Sequence, residues 1–314
     1  MRAVTIHDGE LTVEEHPDPV CEHNEILVSI RAAGLNGADM LQRKGAYPAP
    51  PGEPSDIPGL ELAGEVVGLG PGAERFSEGD RVTAVVGGGG QAELAVLHER
   101  AAMPVPDVLD WPAAGGLSEV FVTAHDAIFT QGGLRPGERL LVHGAAGGVG
   151  TAAVQLGRMA GASVTATVRD ADLHGGVAAL GAEVIEPEGF VDHGPFDVVL
   201  ELVGGPNLAG DVKALAAGGR IVVIGVGGGP KAELSLLALM GKHGAIRAST
   251  LRARPLEEKA LAMRRVEREV LPGFASGALT VPVADTFDID DVEKAYERFG
   301  AGGKLGKVVL TVSR

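Results

Sequence analysis

Short runs that alternate between apolar and polar residues fill the first hundred positions, and longer runs of helical period take over after them. Val4–Ile6 and Leu11–Val13 read as strands joined by a turn at Asp8-Gly9. Glu25–Ala32 alternates as a half-buried strand does, and Gly64–Gly68 and Arg81–Val86 repeat the pattern, with turns at Pro71-Gly72 and Gly79-Asp80. Many short strands at close spacing predict a small barrel or sandwich over Met1–Ala102. One stretch breaks the pattern: Gly34-Leu35-Asn36-Gly37-Ala38-Asp39, then Met40–Lys44, then the proline-rich loop Ala46-Tyr47-Pro48-Ala49-Pro50-Pro51. The glycines Gly87–Gly90 lead through Gln91-Ala92-Glu93 to Leu94 and read as a flexible hairpin entering a strand.

Beyond the shift in composition at Pro104–Pro112, Ala113–Phe129 reads as one apolar helix. Leu140–Val142 is a run of the kind buried on both faces of a parallel sheet. The glycine-rich turn Gly144–Gly150 follows, then a helix over Thr151–Ala160 closed by Gly161, then a β-branched strand over Ser163–Val168. Strand, glycine turn, helix and strand form the unit that carries dinucleotides. Backbone N–H groups at the helix start must approach a pyrophosphate, and a Cβ would hold them off. Ala145 stands at the first glycine position of that pattern, with Gly147 and Gly150 at the other two. The residues of the turn itself, Ala145, Ala146, Gly147, Gly148, Val149 and Gly150, are the candidate phosphate cradle.

The αβ alternation continues through strands at Val184-Ile185, Phe196–Leu202, Arg220–Val226 and Ala245–Leu251, and helices at Leu208–Ala217 and Leu234–Met240, which predicts a doubly wound parallel sheet. Pro255 opens a further helix, with Glu257 and Glu258 in its first turn. The tail, a helix over Asp290–Phe299 and a strand over Gly306–Val312, is too short to stand alone and is expected to return to the N-terminal β domain.

At 314 residues the chain is long enough for two domains. Its 42 acidic against 27 basic residues, net charge −15, argue against nonspecific nucleic-acid binding and against docking on an anionic membrane. No apolar run approaches the roughly 18–20 residues of a spanning helix, and the N-terminus has no signal-peptide pattern. Cys21 is the single cysteine, so neither a disulfide nor a multi-cysteine zinc site is available. A soluble cytoplasmic protein is expected.

The order of motifs resembles the medium-chain dehydrogenase/reductase superfamily, in its zinc-free quinone oxidoreductase (zeta-crystallin-like) branch. The resemblance rests on Ala33–Asn36 with Asp39, Pro58–Gly64, Gly79–Val82, Thr123-Ala124, His143–Gly150 with Thr151–Leu156, and Gly306–Leu310. It implies an α/β fold in which a doubly wound parallel (Rossmann) sheet is inserted into a GroES-like β-barrel domain. The GroES-like domain would take residues 1–115, the Rossmann domain 116–254, and the return to the first domain 255–314. Where zinc-dependent alcohol dehydrogenases carry their ligands, this chain has Asn36, Leu60 and, near the third position, Glu119, with Glu61 retained. Such a set does not make a tetrahedral zinc site, so no metal is expected.

The resemblance also implies site roles. Asn36 reads as a contact to the nicotinamide or its ribose, or as a turn residue in the left-handed region. Tyr47 reads as a stacking or hydrogen-bonding residue at the nicotinamide, or as loop packing. Thr123 is placed beside the nicotinamide, and Val203, Val226 and Leu251 at strand ends where backbone reaches a ligand. His143 reads as strand-end packing and Glu61 as an architectural hydrogen-bonding residue. The implied activity is hydride transfer from NADPH to a small electrophile in the cleft between the domains, a quinone first. The alternatives are an enoyl or alkenal reductase, with Tyr47 as proton donor, and a non-catalytic NADPH-binding sensor or structural protein. NADPH is preferred because Arg169 follows the second strand, where an NAD enzyme carries an acid, and Thr167 would add a hydroxyl. Asp170 is the opposing feature. A homodimer through the edge strand 245–251 is also implied.

Overall fold

The computed structural model describes residues 1–312. They pack as two units. The first comprises residues 1–122, 251–302 and the strand from Lys307 onward; the second comprises 123–250 with 303–306.

In the first unit β1 (Arg2–His7) and β2 (Glu10–Glu15) form an antiparallel ribbon. Its turn residues Asp8 and Gly9 have φ of 49° and 89°, both in the left-handed region that a two-residue hairpin turn requires. The main sheet, numbered along the chain, is built from β3 (Glu25–Gly34), β4 (Glu61–Leu69), β5 (Arg81–Val85), β6 (Leu94–His98), β7 (Ala102–Pro104), β14 (Val283–Asp288) and β15 (Lys307–Thr311). Strand β3 is its hub, antiparallel to β4, β6 and β15. Ile26, Val28, Ile30, Leu62, Val66, Val308 and Leu310 fill the interior of the unit. Each such side chain stabilises by about 1.5–3 kcal/mol on burial.

The second unit is a parallel sheet of β8 (Arg139–Val142), β9 (Ser163–Thr167), β10 (Glu183–Ile185), β11 (Phe196–Glu201), β12 (Leu215–Val223) and β13 (Ala245–Ala248), in the order β10-β9-β8-β11-β12-β13. Leu140, Leu141 and Val142, and Val198, Val199 and Leu200, have no exposed surface, as strands covered on both faces must. The strand order reverses between β8 and β11, so the crevice for a ligand lies outside their carboxyl ends.

The structure departs from the sequence reading in several places. The helix expected over Ala113–Phe129 is broken into Trp111–Gly115 and Ser118–His125, the second continuing without a gap as a π-helix over Asp126–Gln131. The break falls at Gly115-Gly116, where the chain passes against β3: a Cβ on Gly115 would lie 2.6 Å from that of Ala32. The helix expected over Leu208–Ala217 instead runs Gly205–Ala214, because buried Leu215 pairs with Phe196 and already belongs to β12. Strand β13 stops at Ala248, short of Leu251. Strand β14 was not expected; only its partner β15 has a strong apolar run. The glycines Gly87–Gly90 are buried rather than a free hairpin, since a Cβ on Gly90 would meet the carbonyl of Glu61 at 2.7 Å. No helix among the described residues is long and apolar enough to cross a membrane.

Candidate active site

The first unit places an ammonium group at the end of β3. Lys307 Nζ donates to Asn36 Oδ1 at 2.8 Å and to the Leu35 carbonyl at 2.7 Å, and lies 2.7 Å from Glu61 Oε1. Asn36 Nδ2 donates to Glu61 Oε1 and to the Gly34 carbonyl, both at 3.1 Å, and the Glu119 N–H donates to Glu61 Oε2 at 2.9 Å. Every one of these side chains is buried. Gly34 makes the arrangement possible: a Cβ there would lie 2.4 Å from Glu61 Oε1 and 2.8 Å from Lys307 Cε.

Asn36 is extended, φ −131° and ψ 156°, and caps the helix Gly37–Arg43, so the left-handed turn reading does not apply. Asp39, wholly buried in that helix, accepts from the Asn36 N–H at 2.8 Å and the Gly59 N–H at 3.2 Å. Burial pushes its carboxyl up to about 7, against the pull of those amides and of Lys307.

Tyr47 is half-buried, and Arg252 holds its loop. The Arg252 guanidinium lies 5.1 Å from the Tyr47 ring centre and donates to the Tyr47 carbonyl, to the Gly87 carbonyl and to Gln42 Oε1 at 3.0, 2.7 and 2.6 Å. Burial raises the Tyr47 phenol further above its usual range, so it stays protonated at neutral pH; Arg252 opposes the shift. Among the described residues the Tyr47 hydroxyl has no hydrogen-bond partner. Arg252 also lines a hollow of about 800 Å³ with Pro50, Pro54, Ile57, Gly88 and Leu94, which neither Asn36 nor Tyr47 reaches.

In the second unit the glycine turn joins β8 to the helix Gly148–Met159. Gly147 is the N-cap and supplies no side chain to the first N–H groups. A Cβ on Gly150 would meet Ala145 Cα at 2.6 Å, so only glycine lets the helix start this close to the turn.

Family models match both parts: an alcohol dehydrogenase GroES-like domain over residues 22–107, and a zinc-binding dehydrogenase domain over 180–310. The quinone oxidoreductase of Rattus norvegicus is 29% identical, over 93% of this chain and 90% of the rat protein. A quinone oxidoreductase from Pseudomonas syringae pv. Tomato DC3000 superposes with a TM-score of 0.87 at 26% identity, covering 99% of both chains. The chain belongs to the medium-chain dehydrogenase/reductase superfamily, in its quinone oxidoreductase branch. A stretch of polyketide synthase GfsB from Streptomyces halstedii is 33% identical over 93% of this chain but 5% of that protein.

A medium-chain oxidoreductase of this kind uses a nicotinamide cofactor, and the turn of this one fits the group. An uncapped helix N-terminus with glycine at the closest approach has the free N–H groups and the room that a pyrophosphate needs. Ala145 is buried, while Ala146, Gly148 and Val149 keep part of their surface open and Gly147 is exposed. Arg169 is exposed and, among the described residues, makes no ion pair or hydrogen bond. Its neighbour Asp170 is occupied: Oδ1 accepts from the Asp172 N–H at 3.1 Å and caps the turn Ala171–Leu173. Thr167 behaves otherwise than expected. It is 2% exposed and its hydroxyl is bonded to His143 Nδ1 at 3.0 Å, so it faces the core and not a 2′-phosphate. Val203 and Val226 flank the crevice, in the turns that follow β11 and β12. Thr123, nearly buried in the helix Ser118–His125, belongs to the second unit, whereas Leu251, buried and past the end of β13, belongs to the first.

Three features of this reductase escape a reading of its sequence. Lys307 looks like the polar start of a strand, Arg252 like a loop charge, and Asp211 like a helix-surface acid. All three are buried. The available signal was indirect: a lysine directly ahead of Val308-Val309-Leu310 enters a sheet interior and needs a carboxylate there.

Proposed function

We propose that this oxidoreductase takes NADPH and reduces a quinone, with no metal ion taking part. The observation that carries the reading is the Lys307 ammonium bonded to Asn36, the residue at the position of a zinc-ligating cysteine in zinc-dependent alcohol dehydrogenases. The ammonium already occupies the Asn36 amide oxygen and Glu61 Oε1, the oxygens that a cation bound there would need. A quinone suits such a site, because it accepts hydride without a strong base or a Lewis acid.

A nicotinamide supplies the hydride when bound. The N–H groups that open the helix Gly148–Met159 would hold its pyrophosphate, and Arg169 the 2′-phosphate of NADP. Asn36, fixed through both its amide oxygen and its amide nitrogen, offers a rigid contact to the nicotinamide half. Tyr47, kept protonated by burial, would donate a hydrogen bond to the acceptor oxygen as it gains charge. We also expect a homodimer through β13; in the helix just ahead of it in the chain Leu236, Leu237 and Met240 stand 69%, 79% and 69% exposed.

An enone reductase is the second reading. It is favoured by the same Tyr47 hydroxyl, a protonated donor with no partner among the described residues. NADPH oxidation with a panel of quinones and enones, with and without chelator, tests both readings. Quinone turnover unaffected by chelator is expected. Preference for enones would favour the second reading, and loss of turnover on metal removal would overturn the metal-free one.

A further inference from the structure

A buried polar cluster lies beneath the crevice where the strand order reverses. His143 directly follows β8, Glu201 ends β11, Thr167 ends β9, and Asp211 faces them from the helix Gly205–Ala214. His143, Glu201 and Asp211 have no exposed surface. His143 Nε2 and Asp211 Oδ1 are 2.9 Å apart, and His143 Nδ1 and Thr167 Oγ1 3.0 Å. An ionised Asp211 only accepts, so Nε2 carries the hydrogen of that bond. Glu201 Oε2 lies 4.0 Å from His143 Nε2. The Phe190 ring closes the cluster edge-on to the imidazole, with ring centres 4.6 Å apart.

Glu201 Oε1 is spent on backbone: the Val203 and Gly204 N–H groups both donate to it, the second at 2.7 Å. Gly204 has φ 109°, and a Cβ on it would meet the Gly229 carbonyl at 2.7 Å, so this carboxylate fixes a turn of a shape that glycine alone adopts. Two oxygens are left over. Glu201 Oε2 and Asp211 Oδ2 are buried and, among the described residues, have no hydrogen-bond partner. Three atoms, one from each of His143, Glu201 and Asp211, lie within 4.8 Å of one another. Two carboxylates this close and this dry repel one another, and a proton held between them removes that repulsion.

We propose that Glu201 and Asp211 share one proton in the folded protein, and that this proton makes Glu201 the positioning residue of the Val203–Gly204 turn. The proton turns two unpartnered acceptors into one donor and one acceptor. The groups that face it are His143, Asp211 and the Thr167 hydroxyl; Phe190 contributes no charge. Burial pushes the Glu201 carboxyl up, Asp211 pushes it further, and His143 draws it back. A divalent cation held by the same three residues is the competing occupant. It would have to open the bond between His143 and Asp211, whereas a proton leaves that bond in place. The functional part of the proposal rests on the reading that the second unit binds NADPH. The proton itself does not.

Two measurements separate them. Infrared spectra of the wild-type protein at neutral pH should contain the carbonyl band of a buried protonated carboxyl, absent in Glu201→Gln and in Asp211→Asn. A wild type without the band, or one that holds a stoichiometric metal released by these substitutions, would overturn the proposal. NADPH titration then tests positioning. In Glu201→Gln the amide oxygen still accepts from Val203 and Gly204 and the NH2 group replaces the shared proton, so affinity is retained. Glu201→Ala, which frees both N–H groups, should bind on the order of 10-fold more weakly. Wild-type affinity should fall at high pH as the proton leaves, and Glu201→Gln should lack that fall. Equal affinity of Glu201→Ala and wild type, or the same pH profile in Glu201→Gln, would refute the positioning role. If the wild type binds no NADPH at all, the cofactor reading fails and the infrared result still decides the proton.

Discussion

Lys307 Nζ lies 2.7 Å from Glu61 Oε1, and the two side chains are 3% and 0% exposed. A buried ion pair of this kind is costly to break from one side, because the remaining charge stays in a dry interior. Lys307→Met should therefore destabilise the protein by about 3–5 kcal/mol in urea unfolding. Adding Glu61→Gln should return part of that loss. A loss under about 1 kcal/mol for the single variant would mean that the pair does not hold the sheet ends together.

Asp39 gives the same unit a pH dependence. Its carboxyl stands at about 7 in the folded protein against 3.8 ordinarily, so the folded chain keeps a proton that the unfolded chain releases. Its contribution is full below about 4 and is lost as pH rises to about 7, an interval worth on the order of 4 kcal/mol. Asp39→Asn removes this limb. The difference in unfolding free energy between wild type and variant should change across that range; a difference independent of pH would refute the assignment.

Arg169 sets the choice of cofactor if it grips a 2′-phosphate. A charge-assisted contact of roughly 1.5–3 kcal/mol is at stake, so Arg169→Ala should weaken NADPH binding on the order of 10- to 100-fold and NADH binding little. Equal losses for both cofactors, or a wild type that prefers NADH, would count against it.

The exposed apolar residues of the helix ahead of β13 predict an assembly. Light scattering at micromolar concentration should give twice the chain mass of 32.0 kDa, and Leu237→Glu should halve it. A wild type at the monomer mass would sink the idea.

Much of this architecture is legible from local pattern. The glycine turn and the buried strand before it follow from period and turn chemistry within a few residues of one another, and the return of the tail from its being too short to stand alone. The elements that were misread depend on distant partners instead. Gly115 breaks a helix because Ala32 passes close to it, and Leu215 leaves its helix because Phe196 claims it. The site divides in the same way. The close approach at Gly147 and Gly150 follows from the chemistry of a tight turn into a helix. Lys307 meets Asn36 across 271 positions, and Thr167 turns inward to a histidine 24 positions away. Pairings at that separation leave no local signature.

The same long separation bears on how the chain is built. Residues 123–250 are contiguous, so the parallel sheet has nearly all its parts as soon as they leave the ribosome. The first unit does not. Its hub strand β3 is made early, yet the strand beside it and the only ammonium near Glu61 among the described residues arrive some 270 positions later. Through most of synthesis, that carboxylate faces an unfinished interior with no counter-ion, and the β unit stays open. A nascent chain arrested after residue 302 should thus yield a protease-resistant core from the inserted sheet and digest elsewhere; protection of both units at that length would disprove the order.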